Sequence, residues 1–310
     1  MLKRRLGRTK LDVSVLSMGT VSLGMDYGIR TPEKIGHPSE SESIQLLRAA
    51  ADCGINFYDT APVYGLSETV LGKALLGQTA CYIATKLSLS LLEDTDQAVR
   101  RSEQNIIDSI NNSLKYLQRD VLDLIQVHNA TVAIFEDSVT LRALERMKHQ
   151  GLVNYIGASI YDEKDALAAI DSGIVDVLQI PFSILDQRLA ANVLPAAESA
   201  NVGIIARSVL LQGVLSPKAR YLPDHLISLK EAASRIRTEY DISWEELSQF
   251  AIRFCLSISG IHSVLLGIEN MSELNIAMAA VKASTLPSAD MSTASDFQIS
   301  DSSLLNPSNW

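Results

Sequence analysis

Asp59, Tyr64, Lys86 and His128 are the side chains whose types and spacing point most directly to chemistry. Asp59 ends the run Asn56-Phe57-Tyr58-Asp59, and Tyr64 follows after Thr60-Ala61-Pro62-Val63. Lys86 ends Ile83-Ala84-Thr85-Lys86, and His128 ends Leu124-Ile125-Gln126-Val127-His128. Each polar group trails an apolar, strand-like run, so each is positioned for the C-terminal mouth of a barrel. Carbonyl reduction needs these groups: a phenol to give a proton, an ammonium to acidify it, a carboxylate to hold the ammonium and an imidazole to orient the carbonyl. A free tyrosine has a pKa of about 10, so Lys86 is expected to favour the phenolate. Asp59 is expected to keep Lys86 charged, and a neutral His128 to donate a hydrogen bond to the substrate oxygen. Any one of them alone reads as packing or a surface bridge; their joint occurrence after three consecutive strands carries the functional reading.

The elements that must position them are legible as an alternation. Short apolar runs at 15–20, 56–59, 81–86, 123–128, 155–159, 177–180, 203–207 and 263–267 are separated by helical patterns at 41–52, 67–76, 102–116, 137–148, 163–171, 188–200 and 244–257. Eight strands alternating with helices predict an α/β chain closed as a (β/α)8 TIM barrel, rather than an open doubly wound sheet. Residues 6–15 read as two short strands around a turn, an N-terminal β-hairpin ahead of the first barrel strand. The longest irregular stretches are 24–38, 212–227 and a tail from about 283. The first two follow strands one and seven and so belong to the catalytic face.

A chain of 310 residues, 47% hydrophobic, is long enough for one large core, and residues 1–310 are expected to form a single domain. A net charge of −9 and a pI near 5.1 offer no field for nucleic acid or an anionic membrane; a small-molecule partner fits better. The sequence assigns no oligomeric state. Cys53, Cys81 and Cys255 lack any CxxC pairing and read as small core residues in a reducing compartment. Residues 1–10 are basic but lack the apolar stretch of a signal peptide, and no apolar run reaches about 18 residues. A cytoplasmic location is the expectation. No HExxH or spaced Cys/His set suggests a metal, and no GxSxG elbow is present.

Beyond the four residues, Leu6-Gly7-Arg8-Thr9, Gly19-Thr20, the Asp-Thr-Ala-x-x-Tyr-Gly run at 59–65, the stretch 113–124 and Gly157-Ala158-Ser159 resemble landmarks of the aldo-keto reductases, in that family's order. The resemblance covers about residues 3–281. It implies that the hairpin closes the barrel bottom, that Asp59, Tyr64, Lys86 and His128 form the catalytic tetrad, and that a nicotinamide dinucleotide lies extended across the mouth. The absence of any GxG among the glycines accords with a non-Rossmann site. On this resemblance Gly19, Thr20 and Asp59 face the cofactor, Ser159 and Gln179 hold its carboxamide, and Arg207 takes the nicotinamide-stacking position, where a planar guanidinium can lie on a ring. Ser208, Leu210 and Gly213 approach the pyrophosphate, and Gly267, Glu269, Asn270 and Glu273 meet the adenosine end.

The chain departs from the family's pattern in three places. Ile160 stands for the usual Asn after the Ser of strand five, Glu269 for the basic residue often offered to the 2′-phosphate, and Glu273 where Gln is common. The two carboxylates favour NAD(H) over NADP(H). Tyr27, Arg220 and Tyr221, with His225, are candidate substrate contacts beside Tyr64 and His128. The runs 207–213 and 304–310 are similar to members associated with carbohydrate or nucleotide-sugar metabolism. The implied activity is nicotinamide-dependent interconversion of an aldehyde or ketone, such as a sugar or sugar derivative, with its alcohol. The alternative is a non-catalytic dinucleotide-binding sensor or regulatory protein on the same fold.

Overall fold

The computed structural model describes residues 1–32, 36–87, 96–283 and 285–310. Two strands, β1 (Lys3–Arg5) and β2 (Asp12–Ser14), pair antiparallel as the expected hairpin. The next eight are β3 (Leu16–Gly19), β4 (Phe57–Asp59), β5 (Tyr82–Leu87), β6 (Leu122–Val127), β7 (Val153–Ser159), β8 (Val177–Pro181), β9 (Gly203–Arg207) and β10 (Ser263–Gly267). They close into a parallel barrel in chain order, with β10 returning to β3. Helices fill the intervals, as the alternation predicted. Among the described residues no helix is long and apolar enough to cross a membrane.

Side chains two apart on a strand share a face, and this barrel uses that period to stack two unlike layers. Phe57, Ala84, Leu124, Val177, Ile205 and Leu265 gather inside as an apolar cluster with Leu6, Leu11 and Val13 of the hairpin. Two residues further along four of those strands stand Asp59, Lys86, Gln126 and Gln179, all buried. The hairpin seals the lower end. Gly7, at φ +51°, lets the turn press against the backbone of Gly203 and Asn201, where a Cβ would sit 2.3 Å from the Gly203 nitrogen. Arg8 then locks it, pairing Asp176 at 3.0 Å and donating to the carbonyls of Gly173 and Val175. With the bottom closed by apolar packing and this ion pair, the upper end is left for chemistry.

Several expectations need correction. The helix sought at 188–200 spans only Val193–Ser199, because Pro195 lacks a backbone N–H and is tolerated only in a first turn. The stretch 212–227 is built of 3-10 turns, and a helix Ile227–Tyr240 follows it that the alternation did not pick out, although Leu229, Ala233 and Ile236 mark its buried stripe. Helix Met271–Lys282 was likewise missing from the helices read from pattern. The tail from 283 is not wholly irregular: it carries helices Ser288–Ser295 and Ser302–Leu305, buries Ala294 and Leu305, and donates from Ile299 N–H to the Leu185 carbonyl. Cys81 and Cys255 are buried as expected, but Cys53 is exposed, since it caps the helix Glu40–Asp52 beyond its last packed turn. Residues 33–35 of the first long loop and residue 284 of the tail lie outside the described residues.

Behind β5, the outward-facing Thr85 donates its hydroxyl to Glu68 Oε1 at 2.6 Å. Glu68, on helix Ser67–Ala74, is buried, and burial holds its carboxyl above the ordinary value near 4.5 despite hydrogen bonds from Thr85 and Ser113. A carboxyl whose pKa is raised by folding stabilises fully below the unfolded value and loses that contribution as pH rises through the folded one. Glu68→Gln cannot ionise and keeps an acceptor. It should therefore melt above the wild type at pH 8, with the gap shrinking toward pH 5 in calorimetric scans. A gap independent of pH would mean that Glu68 ionisation does not limit stability.

Candidate active site

Asp59 closes β4, and the chain then turns through Thr60, whose N–H donates to the Ala84 carbonyl of the neighbouring strand at 2.9 Å. This tie keeps the loop 60–66 over the barrel mouth. Tyr64 is fixed in that loop by a backbone crossing. Gly24 lies so close that a Cβ on it would sit 2.0 Å from the Tyr64 carbonyl oxygen, and one on Gly65, at φ +60°, would sit 2.3 Å from the Gly24 oxygen. Side chains at either glycine would push the two loops apart. Beneath them the hydroxyl of Ser67 links those of Thr20, at 2.5 Å, and Thr60, at 2.9 Å.

Lys86 is 1% exposed. It donates to Asp59 Oδ2 at 2.5 Å and to the Thr60 carbonyl at 3.0 Å, and its nitrogen lies 4.9 Å from the centroid of the Tyr64 ring. Burial alone would lower its pKa, but the Asp59 carboxylate and Tyr64 beside it raise it, so Lys86 stays charged. Asp59 Oδ1 accepts from the amides of Gln126 and Gln179, each at 2.8 Å. Tyr64 and His128 meet edge to face, ring centroids 6.1 Å apart at 87°. All four residues singled out from sequence are thus brought together.

Two electrostatic results differ in kind. The Tyr64 phenol is raised above its ordinary value, chiefly by burial, which outweighs the opposing pull of Lys86. Sequence reasoning expected Lys86 to leave the phenol acidified overall; the ammonium acts in that direction but does not win. His128 is lowered to about 4, by burial first and then by Lys86 and Arg207, and so is neutral at physiological pH as expected.

From Tyr64 and His128 a cavity of about 790 Å³ runs across the mouth to Glu269 and Glu273. Gly19, Thr20, Asp59, Ser159, Gln179, Arg207, Ser208, Leu210, Gly213, Gly267, Glu269, Asn270 and Glu273 all line it, as does Tyr27. Gly19 and Gly267 are paired across β3 and β10, and a Cβ on either would find no atom closer than 3.7 Å, so together they make a floor that side chains would fill. Above Gly267 the buried Ser22 hydroxyl has no hydrogen-bond partner among the described residues. Asn270 serves as N-cap of helix Met271–Lys282, accepting from Glu273 N–H. Arg207 lies over the Tyr161 ring at 4.1 Å and donates to the Ile160 carbonyl at 3.0 Å, so the backbone at 160 holds the guanidinium. Tyr27 accepts from Gln212 at 3.1 Å on the rim.

Arg220, Tyr221 and His225 do not line this cavity. Arg220 pairs at 3.8 Å with Glu245, which does line it, Tyr221 is 42% exposed, and His225 lies in the turn Asp224–Leu226. Sequence reasoning missed Gln126, although its place two residues before His128 puts it on the inner face of β6. It also missed Lys218, which pairs with Glu269 at 3.2 Å and Glu273 at 2.9 Å across the far end of the cavity. Charge complementarity with those two carboxylates was the only signal for Lys218. Among the described residues no three His, Cys, Asp or Glu side chains gather as metal ligands would.

Comparison with known proteins adds a lineage. The family model described as "Aldo/keto reductase family" matches residues 15–298. L-galactose dehydrogenase of Arabidopsis thaliana is 29% identical over 95% of this chain and 92% of its own length. The NADH-specific methylglyoxal reductase of Escherichia coli is 29% identical over 70% of this chain and 69% of its own. Among solved structures, the holo form of an aldo-keto reductase from Bacillus halodurans superposes with a TM-score of 0.78 at 25% identity, covering 96% of both chains.

The charge coupling inside the site can be read at His128. Lys86→Met removes a cation that holds the imidazole pKa down and leaves Asp59, which raises it. The His128 titration should move up from about 4 toward its ordinary 6.5 without reaching it, because burial remains. Nitrogen-15 NMR of the imidazole measures this. Identical titration in both proteins would show that the ammonium is not felt at His128.

Proposed function

The chain belongs to the aldo/keto reductase family, and on that premise we propose that it interconverts an aldehyde or ketone with its alcohol, with Tyr64 as general acid and base. The observation that carries this reading is the buried Lys86 ammonium, held by Asp59 and the Thr60 carbonyl and set 4.9 Å from the centroid of the Tyr64 ring, with His128 edge-on to the phenol at the cavity wall. A nicotinamide cofactor, when bound, supplies or accepts the hydride. The cradle for it is supported by the Gly19–Gly267 floor, the unpartnered Ser22 hydroxyl, and the carboxamide-type partners Ser159 and Gln179. Arg207, with one face on Tyr161, leaves its other face for a ring.

In reduction Tyr64 passes its phenolic proton to the carbonyl oxygen as that oxygen gains charge. Lys86 stabilises the resulting phenolate, and the neutral His128 donates a hydrogen bond to the same oxygen and so fixes the carbonyl plane. Because burial keeps the phenol protonated at neutral pH, proton donation is favoured there. Oxidation of the alcohol, which needs the phenolate, should rise with pH.

The rim carries hydrogen-bonding groups from Tyr27, Gln212, Asn129 and Arg207, and the relative of greatest coverage among the curated proteins above is named for a sugar. Both support a polyhydroxylated carbonyl, a sugar or sugar derivative, as substrate. NAD(H) is the cofactor we favour. Glu269 and Glu273 line the far end of the cavity beside Lys218, and a 2′-phosphate there would meet two carboxylates as like charges. The Escherichia coli relative, named as NADH-specific, supports the same choice.

Steady-state assays with NADH, NADPH and a panel of aldoses and apolar aldehydes test the activity. Tyr64→Phe should lower kcat by about 10²-fold or more, the usual loss on deleting a general acid or base, while the Kd for dinucleotide stays unchanged. A variant retaining half of wild-type kcat would remove Tyr64 from the role. A wild type that binds dinucleotide but turns over nothing would instead favour the sensor reading.

Cofactor choice is tested by binding alone. NADH should bind about tenfold more tightly than NADPH, the lower end of what a like charge gives near a protein surface. Glu269→Arg should narrow or reverse that ratio. Tighter NADPH binding by the wild type would sink the preference and make Lys218 a phosphate ligand.

A further inference from the structure

We propose that Gln126 is a positioning residue whose amide divides the Asp59 carboxylate between two duties, so that Lys86 is left free to act on Tyr64. This rests on the reading of Tyr64 as the proton-transferring group. Gln126 is fully buried on the inner face of β6, between the apolar floor of the barrel and the mouth. Its Nε2 donates to Asp59 Oδ1 at 2.8 Å, and Gln179 Nε2 donates to the same oxygen at the same distance. Gln179 Nε2 also reaches Gln126 Oε1 at 3.4 Å. A carboxylate oxygen only accepts, so both amides must present their NH₂ groups to Asp59. The orientation of each is therefore fixed by the acid and not by choice of rotamer.

The fold makes room for this amide. Gly157 of β7 stands in register with Gln126, and a Cβ on it would lie 3.0 Å from Gln126 Cγ and 2.9 Å from the Val177 carbonyl oxygen. Any other residue at 157 would displace the Gln126 stem. A buried amide with a glycine opposite it and both ends of its NH₂–C=O group in use is a built feature. It is not a polar residue stranded in a core.

Its effect follows from competition for one ammonium. Asp59 pulls on Lys86, and the charge of Asp59 opposes ionisation of Tyr64 while that of Lys86 favours it. With Oδ1 occupied by two amide donors, only Oδ2 faces Lys86, and much of the carboxylate's charge is met by dipoles on its far side. Without Gln126, Gln179 alone holds Oδ1, less of the carboxylate's charge is met on its far side, and Tyr64 then feels a pair closer to neutral. The other charged or titratable groups that face Tyr64 are His128 beyond β6, Arg207 at the end of β9, and Tyr27 on the loop after β3. None of these touches Gln126 in the hydrogen bonds above, so they serve as a constant background. The outward arm of the same network is Gln179. With its NH₂ spent on Asp59 and Gln126, it can offer only its carbonyl oxygen to a ligand in the cavity, which selects an N–H donor.

The test is made on the full chain with tyrosine Cζ labelled with carbon-13, the Tyr64 signal being identified by its loss in Tyr64→Phe. In Gln126→Met, which keeps the volume and removes the donor, the Tyr64 phenol should titrate about one pH unit higher than in the wild type, the smaller end of the shift produced by changing a nearby charge's availability. Alcohol oxidation at pH 7 should fall about tenfold, as a one-unit shift implies for a required phenolate, and recover as pH is raised, with the substrate KM unchanged. Gln126→Asn, too short to reach Asp59 but still an amide, should give the same direction of shift and serves if the methionine variant does not fold. A lowered melting temperature with an unmoved Tyr64 titration in the variant that folds would overturn the proposal and make Gln126 merely structural. Because the phenol titration needs no turnover, an inactive wild type with the shift intact would overturn the catalytic reading while supporting this one.

Discussion

A lysine ammonium with 1% of its surface exposed is a demanding object for a protein to hold. Taking a charge of that size out of water costs several kcal/mol even after relaxation, and it persists only where its protons find acceptors and its charge finds a partner. Lys86 meets both conditions through the Asp59 carboxylate and the Thr60 carbonyl. The rest of the site is arranged around that requirement. Asp59 must be at the end of β4, Thr60 must turn immediately after it, and Tyr64 must return over the mouth. The Gly24 and Gly65 backbone contact exists because Tyr64 has to be pressed down to reach the ammonium.

The barrel makes such a burial tolerable by separating its layers. Below, side chains such as Phe57, Leu124 and Val177 pack with the hairpin as an apolar layer; above, the next inward position on the same strands carries Asp59, Gln126 and Gln179. A step of two residues therefore converts a hydrophobic floor into a hydrogen-bonded one with no change of strand geometry. The floor lowers the dielectric under the charges, which strengthens every interaction among them and makes an unsatisfied member expensive. The same burial explains why the phenol is raised and the imidazole lowered: each is pushed toward its neutral form.

What could be read from the sequence divides along physical lines. Strands β4 to β6 were legible because each is a short apolar run with a polar residue at or beside its end. Their ends carry Asp59, Lys86 and His128, and the barrel followed from eight such runs in alternation. Gln126 was equally visible as an inward position, yet an amide inside a strand carries no compositional mark of function, and its role appears only when Asp59 and Gln179 are seen to converge with it. Arg220, Tyr221 and His225 were plausible as loop residues on the correct face, but 3-10 turns decide direction residue by residue and leave no periodic trace. The tail was misjudged for a related reason. Its serine-rich helix Ser288–Ser295 packs through Ala294 and neighbours such as Phe297 against Tyr240, and so lacks the apolar stripe that announces a helix.

The two ends of the cavity are governed by different balances of charge. At the chemical end, cations prevail: Lys86 and Arg207 act on Tyr64 and His128, and the single carboxylate of Asp59 is shared among three donors. At the far end, Glu269 and Glu273 both pair with Lys218. Glu273 also accepts from the Glu269 N–H, so the loop and the first turn of helix Met271–Lys282 are tied together. On the proposed reading, an alkoxide forming near Tyr64 would meet a field suited to it, and a group at the glutamate end a different one. That gradient belongs to the fold itself, because the strands that carry the cations and the helix that carries the carboxylates are held at fixed positions around one closed barrel.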